Sequence, residues 1–79
     1  MDFDDSTFLE TFGTSLRDAR NRAKISQEEL ASQAGLDRTY ISLLERGKRN
    51  PSLVCIGKLA DALQIPIGQI FDAERRSAK

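Results

Sequence analysis

The chain reads as an all-α fold of five helices in one domain. Three observations lead there. Apolar residues recur at spacings of three and four along most of its length, capping residues and glycines punctuate those stretches, and no segment alternates like a strand. The 79 residues leave room for one compact domain and little else. A core of that size gives little net stability, so a partner subunit is a natural source of more.

Taken in order, Phe8, Phe12, Leu16, Ala19 and Ala23 trace one face of a first helix from about Ser6 to Lys24. Asp4 or Asp5 suits its start, because carboxylates favour the positive end of the helix dipole. Residues 1–5 are expected to form a flexible acidic arm, ahead of a domain spanning 6–72. Ser26 is the N-cap of a second helix, and Glu29 three residues on completes a capping box. Leu30, Ala31 and Ala34 face inward, and Gly35 ends the helix. Asp37 caps a third helix with Ile41 and Leu44 inward, and Gly47 closes it as a left-handed C′ residue. Lys48, Arg49, Asn50 and Pro51 make a short basic turn. Ser52 caps a fourth helix with Leu53, Ile56, Leu59, Ala60 and Leu63 on one stripe and Cys55 at its edge, as a partly buried packing thiol. Pro66 opens a short fifth helix ending near Phe71. Residues 73–79 show no apolar periodicity and are expected to fray.

Composition removes several classes of function. One cysteine and no histidine exclude an intramolecular disulfide, a Cys/His zinc site, and Ser-His-Asp or Cys-His catalysis. No phosphate-binding loop or metal-ligand cluster is present, so an enzyme is not expected, and neither is a cofactor or small-molecule ligand. No apolar run approaches a membrane span, and the acidic start is unlike a signal peptide, which leads to a cytoplasmic expectation.

Twelve basic and twelve acidic residues give zero net charge, which taken alone argues against a nucleic-acid partner. The distribution points the other way. Asp2, Asp4, Asp5 and Glu10 lie in the first ten residues, so the rest carries four net positive charges. From Arg38 to Arg49 stand Arg38, Arg46, Lys48 and Arg49 against the single acid Glu45. The field near a groove depends on such local excess.

The informative stretch is Gln27 to Pro51. Two short helices around a glycine turn have the form of a helix-turn-helix. A short turn makes the helices cross steeply and pack through Leu30, Ala31, Ala34, Leu36, Ile41 and Leu44. Anything larger than Ala31 at such a crossing costs about 1–3 kcal/mol in overpacking. The outer side of the third helix then carries Arg38, Thr39, Ser42, Leu43 and Arg46, a mixture suited to base edges. The bland alternative for these basic residues is a solvated face. Glu28, Glu29 and Asp37 are better read as helix-start charges than as acid–base pairs.

The run SQEELASQAGLDRTYISLLERGKRNPSL resembles the lambda-repressor-like, Xre-type helix-turn-helix family of bacterial and phage regulators. DRTYIS is also similar to controller proteins of restriction-modification systems, and the likeness extends over roughly Leu16 to Phe71. The resemblance implies a recognition helix whose first turn, Arg38 and Thr39, meets base edges. Arginine can donate twice to guanine, worth about 1–3 kcal/mol of discrimination. Thr39 is suited to a base or a thymine methyl, and Ser42 and Leu43 lie further along the groove. Gln27 stands where family members donate to a phosphate. Arg46, Lys48, Arg49 and Asn50 match the backbone-contacting set, which positions rather than specifies. Tyr40 either packs on the sugar-phosphate backbone or sits in the helix pair. Arg20 and Glu45 stand where relatives join the first and third helices by an ion pair.

One such domain covers few base pairs, so useful specificity generally needs two half-sites. Val54, Ile65, Ile67, Ile70 and Phe71 offer more apolar area than a short terminal turn can bury, and are expected to form a symmetric dimer interface. The expectation is therefore a regulator that binds a palindromic double-stranded DNA operator as a homodimer. The rival is an antitoxin-type or adaptor module whose main task is to bind a partner protein.

Overall fold

A computed structural model describes residues 2–71. Among them are four α-helices, α1 (Asp5–Arg22), α2 (Gln27–Ala34), α3 (Arg38–Glu45) and α4 (Leu53–Leu63), followed by a 3-10 helix, Ile67–Phe71. The fifth element is thus tighter than the α-helix expected, with Pro66 just ahead of it. No strand occurs among the described residues. The expected frayed tail, 73–79, lies outside them. None of the helices described is long and apolar enough to cross a membrane.

The caps are local chemistry and sit where the sequence puts them. Ser26 accepts from the Glu29 amide at 3.0 Å while the Glu29 carboxylate accepts from the Ser26 amide at 2.8 Å. Asp37 accepts from the Thr39 amide at 3.1 Å, and Ser52 from the Cys55 amide at 3.0 Å. Asp4 is the N-cap of α1 and Asp5 its first residue, so the helix takes in the last residue of the acidic arm and is capped by the one before it. Thr7 donates its hydroxyl to the Asp4 carboxylate at 2.9 Å, and this bond foremost holds that carboxyl below its ordinary range.

α1 packs on α3 and on the 3-10 helix, α2 on α3 and α4, and α4 on the 3-10 helix. At the centre Leu16, Leu30, Ile41, Leu44, Leu59 and Ile70 are fully buried. Several positions depart from the expected pattern. Phe8 is half exposed and Ala23 exposed, because the ends of α1 overhang the core; Phe8 instead meets Phe3, ring centroids 5.2 Å apart. Leu53 is 75% exposed, since it lies on the flank of the stripe formed by Cys55, Leu59, Ala60 and Leu63. Ile70 is 0% exposed: the 3-10 helix folds it under α1 and α4, which removes it from any dimer face. Cys55 is itself core, at 6% exposure.

The interior also holds a residue that no apolar pattern marks. Gly13 is buried against the end of α3, where a Cβ would lie 2.5 Å from the carbonyl oxygens of both Leu44 and Glu45. The two backbones can approach this closely only over glycine.

Candidate nucleic-acid interface

α3 is held in one rotation about its axis. Ile41 and Leu44 point into the core, so Arg38 and Thr39 stand exposed at the start of the helix, with Ser42 and Leu43 half-buried behind them. Gly35, at φ 70°, makes the left-handed turn that brings α2 to α3, and Leu36 closes it by donating to the Ala31 carbonyl at 2.8 Å. Ala31, 3% exposed, fills the crossing.

At the other end of α3 the chain turns left-handed at Gly47, φ 72°, and Lys48 donates its amide to the Leu43 carbonyl at 2.9 Å. A Cβ on Gly47 would come within 2.9 Å of the Glu10 Cα, so the turn is pressed against α1. Arg46, Lys48, Arg49 and Asn50 line this turn, and all four are exposed. Arg46 reaches back to the Ser42 carbonyl with a long 3.4 Å contact.

Tyr40 packs inward, against the protein. Its ring is half-buried against the core, its hydroxyl lies near the Cys55 thiol, and the Arg49 guanidinium lies over the ring at 5.1 Å. Burial first, then Cys55, pushes its phenol above the ordinary tyrosine range.

Glu45, 4% exposed, is the hub of the polar interior. Arg20 donates to it twice, Nε to Oε2 at 2.6 Å and Nη2 to Oε1 at 3.0 Å, and sends Nη1 to the Ile25 carbonyl at 3.0 Å. The Glu45 hydrogen bonds hold the Arg20 guanidinium above its ordinary value, against the opposing effect of burial. Gln27 donates Nε2 to Oε1 at 3.0 Å, which commits one of its two amide hydrogens inside the protein and leaves the other. Arg17 brings Nε within 3.5 Å of Oε1. The sequence alone does not single this arginine out, because the carboxylate it faces comes from another helix. Its spacing of three from Arg20 places both on one side of α1.

Of the apolar residues assigned to a dimer face, Val54 is 69% exposed and Ile67 and Phe71 45% each, while Ile65 is half-buried. Leu53, expected in the core, joins Val54 outside. Among the described residues no cluster of three potential metal ligands occurs.

A short helix pair joined by a left-handed glycine, with a locked second helix and an exposed basic flank, defines a helix-turn-helix protein. The HTH_3 (Helix-turn-helix) family model matches residues 16–70, and the chain belongs to that family. It is 44% identical over 61 residues to the control protein C.MunI from a Mycoplasma species, covering 76% of this chain and 82% of that protein. Its structure is similar to that of the restriction-modification controller protein C.AhdI from Aeromonas hydrophila. That likeness has a TM-score of 0.81 and 49% identity over 82% of this chain and 98% of the other. The controller protein C.Esp1396I, crystallised as a tetramer in complex with its natural 35 base-pair operator, matches at a TM-score of 0.80. Identity there is 28%, with 94% of this chain and 99% of that chain covered.

Proposed function

We propose that the chain is a sequence-specific transcriptional regulator that binds a palindromic operator as a homodimer, with α3 in the major groove. The observation that carries this reading is the fixed rotation of α3. With Ile41 and Leu44 buried, Arg38 and Thr39 lead into the groove, and Ser42 and Leu43 follow along it. Gln27, Tyr40, Arg46, Lys48, Arg49 and Asn50 then flank the helix as backbone contacts. The similarity to controller proteins, one of them crystallised on its operator, supports the same reading. The work done is binding and promoter occupancy, not catalysis.

Leu53, Val54, Ile67 and Phe71 supply exposed apolar surface for self-association, with Ile65 at its margin. Two-fold pairing through α4 and the 3-10 helix sets two copies of α3 on half-sites about one DNA turn apart. The test is selection of bound sequences from a random duplex library at physiological salt, with molecular size followed in parallel. A two-fold symmetric motif and a dimeric protein are expected. A folded monomer that enriches no sequence would instead assign the apolar surface to a partner protein, as in an antitoxin-type or adaptor module.

Two substitutions resolve the interface. Arg38→Ala is expected to weaken the selected site by about 1–3 kcal/mol and relax preference at one base pair, with random-sequence binding nearly unchanged. Equal loss on both duplexes would reduce Arg38 to a backbone contact. Lys48→Ala is expected to weaken every duplex alike and lower the slope of log affinity against log salt by about one unit. A slope unaltered in titration would remove Lys48 from the interface.

A further inference from the structure

We infer that Arg17, on α1, is a phosphate-binding residue of the DNA interface. The inference rests on the reading of the chain as a DNA-binding protein and extends its contact surface beyond α2, α3 and the basic turn. It starts from the charges around Glu45. One carboxylate faces two guanidinium groups, so the cluster carries one positive charge in excess.

The two arginines do not share that excess. Arg20 spends Nε, Nη1 and Nη2 on internal acceptors, and its side chain is 13% exposed. Arg17 is 52% exposed, and its 3.5 Å approach to Glu45 is a charge contact with Nε, too long for a strong hydrogen bond. Glu45 does not need it. Arg20 and Gln27 already give that carboxylate three hydrogen bonds, and Arg20 neutralises its charge. The excess positive charge is therefore displayed at the surface, on a guanidinium whose terminal nitrogens are available to an anion.

The position matches the anion. Arg17 and Gln27 meet at the same oxygen of Glu45, so the guanidinium stands beside the first residue of α2, where backbone amides and the helix dipole favour negative charge. On its other side Glu45 leads directly into the turn of Arg46, Lys48 and Arg49. Arg17 thus stands at the carboxylate between the start of α2 and the end of α3, from which the basic turn departs. The acids nearby do not close the site. Glu29 is turned back onto the Ser26 amide at 2.8 Å, and Asp18 is paired with Arg22 at 3.0 Å.

The experiment compares Arg17→Ala, Arg17→Lys and Lys48→Ala with the parent chain, binding a synthetic duplex of random sequence and the library-selected duplex over a range of sodium chloride concentrations. Thermal melting of each variant is followed alongside. For Arg17→Ala the slope of log affinity against log salt should fall by about 0.9, with several-fold weaker binding on both duplexes and an unchanged melting temperature. Arg17→Lys should keep most of the slope. If Lys48→Ala lowers the slope and Arg17→Ala does not, Arg17 is outside the interface and this inference fails alone. A lower melting temperature with an intact slope would likewise overturn it, by making Arg17 a shield for Glu45. If the parent chain binds neither duplex, the DNA-binding reading fails and takes this one with it.

Discussion

Gly13→Ala should destabilise the domain by more than about 3 kcal/mol, enough to leave much of a chain this small unfolded at ambient temperature. The added methyl would lie 2.5 Å from the Leu44 and Glu45 carbonyl oxygens and 2.8 Å from the Glu45 carbonyl carbon. All three are backbone atoms, so no side chain can swing away. Relief requires α3 to move off α1, which breaks the packing of Leu44 and the seat of Glu45 together. Urea denaturation followed by circular dichroism measures the loss. Gly57→Ala is the matching control: it lies inside α4 with nothing within 4 Å of its Cβ, and alanine there should raise stability by about 0.5–1 kcal/mol. A Gly13 variant as stable as the parent would show that the α1–α3 approach is looser than described.

Arg20→Met should be nearly as damaging, at about 3–5 kcal/mol, because it leaves Glu45 buried without the cation that neutralises it. The pair itself is not expected to be worth that much. Replacing both partners, as Arg20→Met with Glu45→Leu, should recover a large part of the loss, since two apolar side chains carry no desolvation cost. The double-mutant cycle separates the cases. Strong coupling, with the double variant more stable than Arg20→Met alone, is expected, whereas additive losses would mean that Glu45 is held mainly by other groups. Arg17 is the group to watch, as it is already within 3.5 Å of the carboxylate.

Gly13 and Glu45 also mark the boundary of what can be read from the chain. Ser26 with Glu29, Asp37, Ser52 and the two turn glycines are legible because a cap is decided by residues within three or four places. Leu16, Leu30, Ile41, Leu44 and Leu59 are legible because helical spacing places them on one face. Gly13 is not, since its constraint comes from carbonyls on another helix and a glycine adds nothing to an apolar stripe. Counting apolar residues near the end puts Ile70 on the surface, yet a 3-10 turn tucks it fully under. Leu53 goes the other way, because one position of phase at the start of a helix decides between core and solvent. At the candidate site, Arg38, Thr39 and the basic turn are legible from the motif and its charge. The place of Arg17 depends on a carboxylate contributed by another helix.

Gly47, in the turn after α3, is fixed twice over, by its left-handed backbone and by its contact with Glu10. Lys48, Arg49 and Asn50 just beyond it are exposed. The path of this loop is therefore fixed, while Lys48 and Asn50 stand in the open and Arg49 rests over the Tyr40 ring. On the proposed reading, exchanging Lys48 or Asn50 changes how tightly the chain holds DNA without disturbing the domain that presents them. On that reading, binding strength and folding are separable traits, open to independent adjustment.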